Sequence, residues 1–161
     1  MDSILAEIER SLGAGLFYSA ILLSLTLPDI CAALESPDGK SDGDRYMRWY
    51  DAHLARTYPQ LTSIDCWSLR CGVAHQGRFG PATKQYSRVI FGLPNNQGIT
   101  IHRTTVHDAL YLDAVHFCRD FLAAVRTWLA NAKVPDANME RLVRWRPTGL
   151  APYSFGIPVI A

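Results

Sequence analysis

Residues 106–133, VHDALYLDAVHFCRDFLAAVRTWLANAK, carry the longest amphipathic pattern in the chain. Tyr111, Ala114, Val115, Cys118, Phe121, Leu122, Val125, Trp128 and Leu129 recur at helical spacing, and Asp113, Asp120 and Arg126 fall off that stripe. The pattern predicts one long helix over 106–133, ended by Pro135. A helix with one broad apolar face has to lay it on other elements, so the fold class is mainly α, a helical bundle.

Outward from that helix, other segments repeat the theme. Residues 2–25 read as a first long helix. Ser3 can cap it, Glu7 and Glu9 suit the positive end of its dipole, and its second half is apolar all round, as buried helices are. Residues 27–34 read as a short helical piece opened by Pro28 and Asp29. Residues 35–44, ESPDGKSDGD, are a loop. Residues 45–58 place Tyr46, Trp49, Tyr50, His53, Leu54 and Thr57 at helical spacing before Pro59. Residues 61–75 form the next helix, offering Ile64, Trp67, Leu69, Cys71 and Ala74 for burial, with Gly77 as a left-handed stop. Then the period changes. QYSRVIF (85–91) and ITIHRTT (99–105) alternate around LPNNQG, which predicts a small β-hairpin inserted over about 85–105. A short helix is expected over 138–145. The tail, 147–161, holds three Pro and two Gly yet is rich in apolar residues, so it should be ordered, lying on the body or on a partner chain.

With 161 residues and 48% apolar content, the chain suits a single domain, 1–161. At a net charge of +1 it has no global field to attract nucleic acid, so any RNA contact must come from a local basic patch. Four cysteines are too few for a disulfide scaffold, and the opening MDSILAEIER has acids where a secretory leader needs bases; a reducing cytoplasm is the expected location. Residues 11–28 carry no charge, nearly enough length for a membrane span. Ser11, Gly13, Gly15, Tyr18, Ser19, Ser24 and Thr26 dilute the stretch and no Lys or Arg cluster flanks it, so a buried core or subunit-interface helix is expected and no membrane partner.

Several motifs do not carry through. Gly39-Lys40-Ser41 is preceded by Leu34 where a phosphate-binding loop needs glycine. Residues 38–49 would end a calcium loop on Trp49 rather than on glutamate. Cys66 and Cys71 lack zinc spacing, so no metal or other cofactor is expected. His102 and His107 read as a hairpin edge and a helix start beside Arg103, and His116 as an edge of the helix stripe. Arg70 and His75 stand apart. Five residues on one helix separate them by about 140° and about 7.5 Å of rise. They share a groove only if the arginine arches over and the histidine lies in the last turn. Together they offer a fixed cation for a phosphorane and an imidazole for proton transfer. The spacing alone is weak, because Arg48 and His53 repeat it.

The surroundings separate the two pairs. LRCGVAHQG resembles the Leu-Arg-Cys-x-x-x-His-x-Gly stretch of bacterial HEPN-like proteins, and ICAALESPDGK, DRYMRWYDAHL and TSIDCWSLR resemble that group in order and spacing, over roughly residues 27–78. The resemblance implies a small helical bundle that dimerises about its motif helices, with Arg70 and His75 as the catalytic pair of a metal-independent ribonuclease of toxin or phage-defence type. Cys71 is the departure: active members usually place Asn, Asp or His directly after the arginine, and a thiol is a weak hydrogen-bond partner. Three readings stay open: an RNA-cleaving or RNA-processing homodimer with RNA as substrate and a cognate antitoxin; a non-catalytic HEPN module for dimerisation, nucleotide or partner-protein binding; and a scaffold in which Arg70 and His75 serve only local packing.

Overall fold

Gly13 and Gly15 divide the N-terminal apolar stretch into two helices, α1 (Asp2–Gly13) and α2 (Phe17–Glu35), in the computed structural model, which describes residues 1–79, 86–95 and 97–161. The single helix expected over 2–25 is therefore corrected. Gly15 sits at φ +72°, a conformation open to glycine without steric cost, and the Leu16 N–H donates to Ser11 O at 2.8 Å to close the end of α1. The turn folds α1 back, so Leu5 and Ile8 are buried as it packs on α2 and on the C-terminal long helix.

The piece expected at 27–34 is the second half of α2, which runs through Pro28. An internal proline forfeits one helical hydrogen bond. Here Leu25, Leu27, Pro28 and Cys31 are all buried, and the packing of neighbours around this stretch holds the helix straight through. By length and mean hydropathy (1.7) α2 could cross a membrane, and half of its most apolar window is buried within the protein.

Asp42 caps α3 (Gly43–His53), its side chain accepting from the Arg45 N–H at 2.8 Å. The helix stops before Leu54, short of the expected Tyr58, and residues 54–58 continue as turns that bury Leu54 and Tyr58. Helix α4 (Ser63–Gln76) opens on a capping box between Thr62 and Asp65, two residues after the start expected at Leu61, and ends at Gly77, φ +65°, the left-handed stop its sequence predicts. Its buried stripe is Cys66, Leu69 and Val73, whereas Ile64, expected inside, is 57% exposed, and Ala74 is exposed too.

The hairpin expected over 85–105 is the main correction. Strand β1 (Arg88–Gly92) does not pair with residues 99–105. It runs parallel to β3 (Ala109–Asp113), and β2 (Thr104–Val106) adds antiparallel on the other side of β3, giving the order β1-β3-β2. Gln85 and Asn96, within the expected hairpin, lie outside the described residues. Strand β3 is cut from the start of the helix expected over 106–133, which shortens to α5 (Ala114–Leu129). Leu110 and Leu112 are fully buried on the central strand, and Asp113 ends it and caps α5, accepting from the His116 N–H at 2.8 Å. Behind α5, the short helix expected at 138–145 is α6 (Asp136–Glu140). Its buried Asn138 donates to Leu34 O and Ser36 O, satisfying the C-terminal end of α2. Strands β4 (Trp145–Arg146) and β5 (Val159–Ile160) form a two-stranded ribbon from the tail. The fold is thus mainly α with a small sheet, and one apolar cluster runs from Met1 through α2, α3 and α4 to Trp128.

Candidate functional site

The capping box fixes where α4 begins, and burying Cys66, Leu69 and Val73 fixes its rotation. Arg70 is left half-buried at the edge facing α2. Its guanidinium meets three groups. The Nε donates to Asp29 Oδ2 at 2.7 Å, Cζ lies 5.1 Å from the centre of the Trp67 ring, and Nη1 stands 3.3 Å from His75 Nε2. Arginine only donates, so Nε2 of His75 is the acceptor and the ring's proton resides on Nδ1. The arginine thus arches across the last turn, as joining the pair requires. The Arg70 and Asp29 side chains are only 22% and 15% exposed, whereas His75 lies open to solvent at the helix end.

Asp29 is the residue sequence reading missed. It lies 41 positions before Arg70 and reads there only as a helix opener. Burial holds its carboxyl above the usual carboxylate range, against the opposing pull of Arg70. The arrangement is a brace. One edge of the guanidinium is held by carboxylate and indole, and the Nη1 end is carried out to the imidazole. Cys71, half-buried, is the residue that follows the arginine in the chain.

The second pair is arranged differently. Among the described residues no hydrogen bond joins Arg48 and His53; the His53 ring stacks on Trp49 at 4.7 Å, and both residues line a cavity of about 500 Å³ with Arg45 and Glu35. The other histidines gather elsewhere. His102 accepts the Asp113 N–H on Nδ1 at 3.0 Å and turns Nε2 toward Tyr58 Oη (3.5 Å) and Asp120 Oδ2 (3.6 Å). Tyr58 donates to Asp120 at 2.7 Å, and His116 Nδ1 meets Asp113 Oδ1 at 2.8 Å. Burial, with Arg103 nearby, lowers the His102 imidazole below its ordinary value. Burial raises the Asp113 carboxyl, but the backbone and ring hydrogen bonds from His116 outweigh it, leaving the group below its ordinary value. Three separate segments build this network, and only His116, at the edge of the helix stripe, is placed as its sequence suggests. His107 occupies the β2–β3 turn at φ +53°, not a helix start. Among the described residues no group of three or more His, Cys, Asp or Glu is placed to hold a metal ion.

Comparison with protein-family models, with curated proteins and with solved structures gives no match.

Proposed function

We propose that this chain is a HEPN-like, metal-independent endoribonuclease or RNA-processing protein, of the toxin or phage-defence kind, with Arg70 and His75 as its working pair. The observation that carries this reading is the 3.3 Å approach of Arg70 Nη1 to the solvent-exposed His75. A phosphodiester held against Nη1 would bring its 2′-hydroxyl to the imidazole. Nη1 then turns from His75 Nε2 to a phosphate oxygen, the freed Nε2 takes the 2′-proton, the 2′-oxygen bonds to phosphorus, and the bond from phosphorus to the 5′-oxygen breaks as that oxygen takes a proton from solvent, the imidazolium afterwards releasing its own to solvent. Arg70 meets the charge that grows on the phosphorane. The chemistry needs no metal, and the products are a 2′,3′-cyclic phosphate and a 5′-hydroxyl. The reading brings with it a homodimer that places two such pairs together, a cytoplasmic setting and a cognate antitoxin.

One observation favours the second reading, a non-catalytic module that binds a nucleotide or a partner protein: Asp29 already neutralises Arg70 in a half-buried ion pair. The ends left on cleaved RNA decide between them. Incubation of structured and unstructured RNA in excess EDTA should give 2′,3′-cyclic phosphate termini by mass spectrometry. Intact RNA throughout, with retained RNA or nucleotide binding, would favour the module. Products with 3′-hydroxyl ends would contradict the mechanism.

A further inference from the structure

One face of α5 mixes apolar residues with cations. Val115, Arg119, Leu122 and Arg126 follow one another at steps of four, three and four, so they share a stripe of the helix. Leu122 is buried and Val115 half-buried, whereas Arg119 and Arg126 are exposed. Opposite this stripe stand the end of α1, with Glu9, Leu12 and Gly13 at helical spacing, and Phe17 at the start of α2. Between them lies a hollow of about 700 Å³, with Leu12, Phe17, Val115 and Leu122 as its apolar lining and Pro94, just past β1, as a further wall.

The two arginines are not equivalent. Arg126 donates through Nη2 to Glu9 Oε1 at 2.7 Å, a pair that ties α5 to α1 at the hollow. Arg119 makes no hydrogen bond or ion pair among the described residues. An uncommitted cation therefore stands over an apolar lining. Small-molecule sites have this make-up, an apolar hollow of roughly 300–1,000 Å³ with a few polar groups that orient the ligand. We propose that the hollow binds a fatty acid, its carboxylate held by Arg119 and its aliphatic chain covering Leu12, Phe17 and Val115.

Charge and shape select this class of ligand. The planar guanidinium fork matches the two oxygens of a carboxylate. A doubly charged phosphate is disfavoured, because the Glu9 carboxylate lines the same hollow and repels it. Phe17 is the one aromatic residue of the lining, so no pair of rings is there to sandwich a flat ligand, and a flexible chain follows the aliphatic surface better. Leu12, Phe17 and Val115 are only half-buried, and covering them removes apolar area from water. Gly13 leaves the space open: a Cβ there would meet nothing within 4 Å. The hollow shares no residue with the Arg70–His75 pair, so ligand binding and RNA cleavage stand or fall separately.

Titration calorimetry of the full chain with decanoate, kept below its micellar concentration, tests this, with decyltrimethylammonium as the probe of opposite charge. The wild type should bind one decanoate per chain with a Kd of about 10–100 µM. Decyltrimethylammonium, which has the same tail but a head that Arg119 repels, should bind at least about tenfold more weakly. Arg119→Gln removes the charge, keeps a polar side chain, and should weaken decanoate about tenfold. Gly13→Leu keeps the charge and fills open space at the hollow, so it should weaken decanoate by a similar factor. Unchanged circular dichroism would show both variants folded. A wild type that does not bind decanoate at millimolar concentration overturns the proposal. So do variants that bind it like the wild type, equal binding of the two probes, or unsaturable uptake of many decanoates per chain.

Discussion

At the residue scale, the proposed pair, Arg70 and His75, depends on a partner far away in sequence. Asp29→Asn removes the carboxylate that braces Arg70 and leaves a half-buried guanidinium without its counter-charge. It should lower stability by about 1–3 kcal/mol, read from urea midpoints. It should also slow RNA cleavage by about 10²-fold, because Nη1 is no longer held toward His75. Arg70→Ala should cost about 10²–10³-fold through loss of charge at the phosphorane. Arg48→Ala and His53→Ala should leave cleavage unchanged, since those side chains are not joined to each other. Cys71→Asn should raise the rate if the thiol is what limits this chain; an unchanged rate would show that the position after the arginine is immaterial. A different residue governs acid stability. His102 faces Tyr58, Asp120, Asp113, Arg103 and His116, and it accepts the Asp113 N–H on the nitrogen where protonation would have to occur. Its folded pKa is lowered, so the unfolded chain binds the proton more tightly. The stabilisation is complete above the unfolded value, near 6.5, and is lost as pH falls from there through the folded value. Melting temperature should therefore drop more between pH 7 and pH 5 for the wild type than for His102→Asn, and parallel curves would refute it.

At the element scale, what was legible depended on how local the cause was. The stop at Gly77 and the apolar stripe of α5 are written in neighbouring residues, and the structure has them where the pattern puts them; the capping box at Thr62 is as local, but the helix was expected to begin at Leu61. The break between α1 and α2 was legible only in hindsight: nothing in the composition of Gly13-Ala14-Gly15 says that the chain must reverse there, and the reversal exists because α1 gains burial against α2 and α5. Strand β3 was hidden because ALYLD satisfies two periods at once. Its Tyr111 fits the helical stripe while Leu110 and Leu112 alternate as in a strand, and the parallel partner that decides the matter lies about twenty residues earlier. Asp29 was hidden for the same reason, since contact with Arg70 joins two helices. Thr62→Ala tests the local part of the account. It removes the acceptor for the Asp65 N–H and should cost about 1 kcal/mol, within a range of about 0.5–2, in denaturant unfolding. A loss below about 0.3 kcal/mol would show that burial alone sets the start of α4.

At the scale of the whole molecule, a nearly neutral helical body presents three features to its surroundings. One is the braced Arg70–His75 pair at the end of α4, the second is the apolar hollow beside Arg119, and the third is the apolar ribbon at the C-terminus. Low net charge makes any RNA contact local, so binding should show a shallow salt dependence, set by a few phosphates rather than by bulk attraction. The central question is whether the Arg70–His75 pair performs chemistry. Single-turnover cleavage of RNA in excess EDTA, with the wild type and His75→Ala prepared side by side and matched in circular dichroism, tests this most directly. The account predicts cleavage by the wild type and a rate about 10²–10⁴-fold lower for His75→Ala. Equal rates for the two proteins, or no cleavage by the wild type of any RNA offered, would contradict it.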